Sequence, residues 1–266
     1  MHLPECRAIL TGASGGIGLE LAGQLCEFGA QVLAVSRHGE PLADLQHRYP
    51  QNLRWLAADL RQPSGRQAVV QAARLMGGAN LLINAAGVNR FAMLEQLDES
   101  ELEDMLALNI GATLQLTRAL LPLLREQPHA LVVNVGSIFG SIGYPGYAAY
   151  CASKFALRGF SEALRRELAD TPVDVLYVAP RTTRTAMNSE AAMALGTALK
   201  SAVDEPEDVA REVLTAIEKN LSELYLGWPE KLFVRINSLL PALVDRALRK
   251  QLPLIRRFSG DDPRKP

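Results

Sequence analysis

Thr11-Gly12-Ala13-Ser14-Gly15-Gly16-Ile17-Gly18 is the stretch whose reading decides the fold. Just before it, Arg7-Ala8-Ile9-Leu10 leads into the turn as a short buried strand. Just after it, Ile17, Leu21, Leu25 and Phe28 recur at helical spacing, and Gly29 closes that helix as C-terminal glycines do. Strand, glycine turn and helix together present backbone N–H groups and a helix N-terminus to a pyrophosphate. The spacing is Gly-x-x-x-Gly-x-Gly, from Gly12, Gly16 and Gly18, rather than the common Gly-x-Gly-x-x-Gly. A tight turn with no ligand is the plainer alternative. Its place near the N-terminus, between a strand and a helix, favours the dinucleotide reading.

Working outward, apolar runs and helical patterns alternate along the chain. Strands are expected at 31–37, 53–60, 81–87, 130–137, 173–180 and 223–226. Helices are expected at 98–124, 147–169 and 206–220, the last with Pro206 in its first turn. Asp98 with Glu101 three residues on forms a capping-box start. The helix after it is apolar on more than one face, so one side is expected on the sheet and the other on a partner subunit. Asn109 interrupts it, as a satisfied core amide or as a local kink. Alternating strands and helices imply an α/β fold: a doubly wound parallel seven-stranded sheet of Rossmann type, with helices on both faces and ligands at the carboxyl ends of the strands.

The bulk numbers exclude other classes. The 266 residues are 48% hydrophobic, enough for a sizeable core, and the formal net charge of -1 argues against a nucleic-acid binder that neutralises phosphates. Cys6, Cys26 and Cys151 lack metal-ligand spacing and cannot all pair, so a reducing cytoplasm is the default. The N-terminal residues carry no apolar signal region, and no run of about 18 uninterrupted apolar residues occurs.

The strand ends carry the candidate chemistry. After the second strand comes Ser36-Arg37-His38, where an acid would bind a ribose 2′-hydroxyl; a guanidinium suits a 2′-phosphate, so NADP is favoured over NAD, a solvated Arg37 being the alternative. Asp59 ends the third strand, as a loop cap or as an acceptor for the adenine amino group. Asn84-Ala85-Ala86-Gly87 is small and flat, so a ligand can lie against its backbone. Ser137 ends the fifth strand, as a turn residue or a hydroxyl donor. Tyr150 and Lys154, in Gly146-Tyr147-Ala148-Ala149-Tyr150-Cys151-Ala152-Ser153-Lys154, are four apart and share one face of a helix. A phenol titrates near ~10, and an ammonium beside it favours the phenolate. Acid/base work near neutrality needs a shift of roughly 3 units, about 4 kcal/mol. One Lys does not supply that, which directs attention to a cationic cofactor and further donors. Alone, the pair also fits an amphipathic helix with a surface Lys.

Thr11-Gly12-x-x-x-Gly16-Ile17-Gly18, Asn84-Ala85-Ala86-Gly87, Asn109, Ser137 and Tyr150-x-x-x-Lys154, in that order, resemble the short-chain dehydrogenase/reductase family in its compact single-domain form, over roughly residues 5–228. The resemblance implies Tyr150 as proton donor or acceptor at the substrate oxygen, Lys154 holding the nicotinamide ribose and lowering the Tyr150 pKa, and Ser137 holding the substrate oxygen. It implies Asn109 keeping its helix kinked and fixing a water in a relay to Lys154. It places the cofactor against Gly12, Ser14, Gly16, Ile17, Gly18, Arg37, Asp59, Leu60, Asn84, Ala85, Gly87, Tyr150, Lys154, Pro180, Thr183 and Thr185. The expected activity is NADP(H)-dependent hydride transfer to or from a small carbonyl or alcohol. One departure stands out: Pro180-Arg181-Thr182-Thr183-Arg184-Thr185 replaces the family's Pro-Gly-x-Val-x-Thr, so Arg181 and Arg184 either help bind anions or are solvated.

The catalytic domain is expected over 1–228, with a substrate lid near 185–203. That segment is rich in Ala with Met187, Met193, Leu195 and Leu199, which points to an apolar or lipid-like substrate, or only to a packed amphipathic helix. Residues 229–258 form a basic amphipathic helical extension, with Pro241 starting its second helix. It either contacts an anionic membrane peripherally through 231–258 or packs over the active-site mouth or a partner subunit. Residues 259–266 are expected to be a disordered tail. A homodimer or homotetramer is expected, located in the cytoplasm with or without membrane association. A non-catalytic dinucleotide sensor of the same fold is the alternative function; a sugar-nucleotide epimerase is disfavoured by the short chain after the sixth strand.

Overall fold

A computed structural model describes residues 1–260. Its seven strands are β1 Arg7–Thr11, β2 Gln31–Ser36, β3 Leu53–Ala57, β4 Leu81–Asn84, β5 Ala130–Val135, β6 Val173–Ala179 and β7 Glu223–Tyr225. They form one sheet in the order β3-β2-β1-β4-β5-β6-β7, every pairing parallel. The helices are α1 Gly16–Glu27, α2 Ala43–Arg48, α3 Pro63–Leu75, α4 Glu99–Leu106, α5 Thr113–Arg125, α6 Ala148–Glu167, α7 Glu190–Ala198, α8 Pro206–Glu218, α9 Glu230–Leu239 and α10 Pro241–Ser259. The expected α/β architecture is the observed one.

The central strands are mostly apolar because helices cover both faces. The pleat sends alternate residues to opposite layers. Ala8, Leu10, Leu81, Ile83, Leu131 and Val133 meet α1 and α8 through Leu21, Leu25, Val213 and Ile217. Ile9, Leu82, Ala130 and Val132 meet α3, α5 and α6 through Val69, Leu116, Leu120 and Leu164. Chain order reverses between β1 and β4, and the crevice at that switch point is where such a sheet binds ligands.

The long helix expected over 98–124 is interrupted. Its start is the expected capping box, with Asp98 and Glu101 exchanging bonds. Residues Ala107–Ala112 then form a π-helical turn around Asn109. Such turns recur at functional sites. Glu99–Arg125 is apolar and long enough to cross a membrane by composition, and here it buries Leu116, Leu120 and Leu124 on the sheet.

The extension comprises α9 and α10, the latter starting at Pro241 as expected. Ser259 is the last residue of α10 and Gly260 caps it in the left-handed region, φ 83°. The rest of the expected tail, 261–266, lies outside the described residues. Ile255 of α10 joins Phe91, Met105, Tyr147, Tyr150 and Leu195 in a third apolar cluster, which lies over the carboxyl end of the sheet.

Candidate active site

The glycine turn is built by close approach. Gly12 has φ 67°, and a Cβ there would lie 2.8 Å from Ala85 O and Ala86 N. A Cβ at Gly18 would overlap Gly12 O, and one at Gly16 would strike the Thr185 side chain. Thr11 Oγ1 accepts from the N–H groups of Ala85 and Ala86, each at 3.1 Å, so the end of β1 is laced to the small turn after β4. The α1 N-cap is Gly15, which supplies no side-chain acceptor. The first helical N–H groups therefore remain available at the positive end of the dipole. A cradle of backbone donors cleared of Cβ atoms fits the diphosphate of a dinucleotide.

Tyr150 and Lys154 lie in the first two turns of α6 and are 8% and 5% exposed. Lys154 Nζ donates to Val135 O at 3.0 Å and sits 5.6 Å from the Tyr150 ring centroid. Burial pushes the Lys154 ammonium down to about 8. Burial likewise pushes the Tyr150 phenol up to about 12, with the Ser137 side chain acting the other way through a hydrogen bond. In the protein alone, desolvation of both groups dominates, so Lys154 by itself does not bring the phenol toward neutrality.

Ser137 follows β5, and its Oγ accepts from Phe139 N at 3.1 Å. Its carbonyl accepts from the Tyr177 hydroxyl at 3.1 Å. That ring fills the space where side chains at Gly136 and Gly140 would otherwise go. Asn109, in the π turn, holds the segment after Gly87 from both sides: Oδ1 accepts from Val88 N at 2.8 Å and Nδ2 donates to Val88 O at 3.0 Å. The same amide donates to Ser153 Oγ at 3.0 Å, and Ser153 donates to Tyr150 O at 2.8 Å. Asn109 is thus a fully bonded amide at a helix distortion, joining both alternatives read from the sequence.

Gly12, Gly16, Ile17, Gly18, Ala85, Gly87, Ser137, Tyr150, Lys154, Pro180, Thr183 and Thr185 line one cavity of about 650 Å³. The other expected residues stand apart from it. Ser14 lies in the turn leading to α1, half-buried. Arg37 is exposed just past β2 and near enough to Asp59 to help hold that carboxyl below its ordinary value. Asp59 is gripped mainly by Arg61, whose Nη2 and Nε reach it at 2.8 and 3.1 Å, while Arg61 also reaches Asp104 at 2.7 Å. Leu60 places its side chain in the core. Asn84 turns its side chain into the sheet, donating to Asn134 Oδ1 at 2.9 Å and Thr117 Oγ1 at 3.1 Å.

Arg181 is neither solvated nor left for a phosphate, whereas Arg184 stays largely exposed. Arg181 forks onto Asp204 at 2.7–3.0 Å and reaches Glu230 at 3.0 Å, with 16% of its side chain exposed. Arg184 pairs with Glu205 at 2.8 Å. Asp204 thereby ties the segment before α8, and Glu230 ties the start of α9, to the loop after β6.

The extension packs over the cavity. Asn237 of α9 donates to Ser141 O at 2.9 Å, and Gln251 of α10 accepts from the Tyr144 hydroxyl at 3.2 Å. Phe233, Ile236, Val244 and Leu248 from α9 and α10 share the lining with Met193 and Leu195 of α7 and with Leu199 at its end. The sequence reading missed Phe139, Tyr144 and Tyr147, which stack beside Tyr150 with ring centroids 5.1 to 6.5 Å apart. Four aromatics within twelve residues of chain was the signal available for them.

Known proteins resemble this chain in sequence and in shape. A family model described as short chain dehydrogenase matches residues 7–195. A 3-oxoacyl-[acyl-carrier-protein] reductase of Vibrio cholerae serotype O1 is 32% identical over 181 residues, covering 68% of this chain and 74% of its own. The structure of a short chain dehydrogenase from Burkholderia cenocepacia in complex with NADP superposes with a TM-score of 0.80 at 28% identity, covering 93% of this chain and 99% of its own. A short chain dehydrogenase/reductase from Burkholderia phymatum in complex with NAD has the same fold, with a TM-score of 0.80 at 22% identity, covering 89% and 94%.

Proposed function

The chain belongs to the short-chain dehydrogenase/reductase family, and from that premise we propose that it is an NADP(H)-preferring oxidoreductase of an apolar carbonyl/alcohol pair. The observation that carries the reading is the convergence of Ser137, Tyr150 and Lys154 with the glycine cradle in one apolar cavity. A dinucleotide sensor would need the cradle but not this trio beside it.

Hydride transfer is the chemistry that a bound nicotinamide supplies. The rest falls to the chain's own groups. Tyr150, kept protonated by burial, is the acid that delivers a proton to the substrate oxygen, which suits carbonyl reduction. Ser137 supports that oxygen with its hydroxyl. Lys154 spends one N–H on Val135 and keeps two for a ribose hydroxyl and for favouring the phenolate. Asn109 holds the Val88 segment and, through Ser153, the backbone of Tyr150, and so acts as a positioning residue.

Preference for NADP(H) rests on Arg37 at the end of β2 with no acid in its place, and on the likeness to a protein whose structure contains NADP. An apolar substrate suits the Met and Leu side chains of the lid and extension, and the resemblance to a 3-oxoacyl reductase fits a carbonyl on an acyl chain. Three free, buried thiols suit a reducing cytoplasm. Exposed Leu106 on α4 and Phe155 on α6 support self-association, which sedimentation would detect as a dimer or tetramer.

The direct test is NADPH oxidation against a panel of ketones, aldehydes and 3-oxoacyl thioesters. Turnover that rises with the apolar length of the substrate is expected. Nucleotide binding with no turnover on any carbonyl would favour the sensor instead.

A further inference from the structure

The inward face of α10 seals the cavity, yet the corner where α9 meets α10 is left open to solvent. Leu232, Ile236 and Leu239 recur at helical spacing on α9, and the chain turns at Leu240 into Leu243 of α10. Leu239 is 79% exposed and Leu240 56%. Phe233 and Leu243 are 50% and 52% exposed although both line the cavity, so the cavity reaches the surface at these residues. An apolar corner at the mouth of an apolar cavity is more than scattered surface leucines.

Charge surrounds this corner with one sign. Residues 231–258 carry seven cations against Asp245, a net +6, so the remainder of the chain carries −7 of the overall −1. Lys231 and Arg235 flank the α9 stripe, and Arg246, Arg249 and Lys250 line the outer face of α10, all of them exposed. Among the described residues these five make no ion pair, whereas Glu230, the acid at the start of α9, is taken by Arg181. An exposed apolar corner on two helices that carry unpaired cations matches a bilayer with anionic headgroups: the leucines enter the interface and the cations meet the lipid charge.

We propose that the α9–α10 corner docks on an anionic lipid bilayer, and that an apolar carbonyl substrate passes from the bilayer between Phe233 and Leu243 into the cavity. The docking stands on the corner itself. The passage rests on the oxidoreductase reading of the cavity above.

The test is flotation of the full-length protein with vesicles of phosphatidylcholine, with and without phosphatidylserine, beside the double variant Leu239→Ser/Leu240→Ser. Neither leucine lines the cavity, so the variant keeps its turnover of a short, water-soluble ketone. Binding to the anionic vesicles is expected, weaker by about tenfold or more on neutral vesicles or at high salt. It should be lost in the variant, which should also lose turnover of a vesicle-embedded long-chain ketone. Absence of binding to anionic vesicles, or binding that the variant does not change, would overturn the docking. So would a variant that changes only the sedimentation of the protein, since the corner would then meet a second copy of the chain. Turnover of the soluble ketone separates the two claims: if it occurs without vesicle binding, only the docking fails.

Discussion

Lys154 is charged and almost wholly buried, with one carbonyl as its protein partner. That costs stability wherever the amine is protonated. An ammonium held at about 8 when folded and near ~10.5 when unfolded is unfavourable below pH 8, and the penalty fades as pH rises from 8 to 10.5. Lys154→Met should therefore stabilise the nucleotide-free protein by about 2 kcal/mol at pH 7, after the loss of the bond to Val135 is allowed for. Denaturant melts should show that advantage shrinking toward pH 10. An advantage unchanged across that range would mean the amine is not charged in the fold. Arg37 is the other residue whose role is a matter of charge. Arg37→Asp should raise KM for NADPH about tenfold to a hundredfold while KM for NADH changes little or falls, in steady-state assays with both nucleotides. The identities of Tyr150, Lys154 and Ser137 were legible in the sequence because four-residue spacing and a strand end fix where they point. Their ionisation was not, because it depends on how completely neighbours such as Phe139 and Tyr147 exclude water.

The elements show the same division. The strands were legible because strands buried on both faces read as near-continuous apolar runs, as β4, β5 and β6 do apart from Asn84, Asn134 and the exposed Asp174. The interruption at Asn109 was legible as a kink but its π form was not, since only a bond made across space, from Asn109 to Val88, rewards the widened turn. Arg181 was read as a missing glycine with two open fates, and its partners lie 23 and 49 residues away in the chain. No local pattern reports such a partner. Gly227, at φ 86°, leaves the room that the Arg181 and Glu230 side chains occupy. Arg181→Ala would leave Asp204 and Glu230 as unmatched, half-buried carboxylates. It should cost about 1–3 kcal/mol in denaturant unfolding and loosen α9, seen as faster amide exchange in residues 230–239. Unchanged exchange there would mean that Asn237 and Gln251 suffice to hold the extension.

Across the whole molecule, the strand ends supply the floor of the cavity, the segment before and including α7 supplies one wall, and α9 with α10 supply the roof. The floor follows from the topology, which gathers the carboxyl ends of β1, β4, β5 and β6 at one edge of the sheet. The roof could be read only as an amphipathic stretch, because helical periodicity says which face is apolar and not what covers it. Closure over a reacting centre excludes water and strengthens each hydrogen bond made there, so the roof and the acid on α6 act on one substrate. The measurement that bears most directly on this is a comparison of native protein with Tyr150→Phe, taking NADPH binding by fluorescence and carbonyl-dependent NADPH oxidation side by side. The expected result is a loss of turnover of about a thousandfold or more with NADPH affinity within a few-fold of native. Turnover that survives without the hydroxyl of residue 150 would contradict the assignment of the proton to Tyr150.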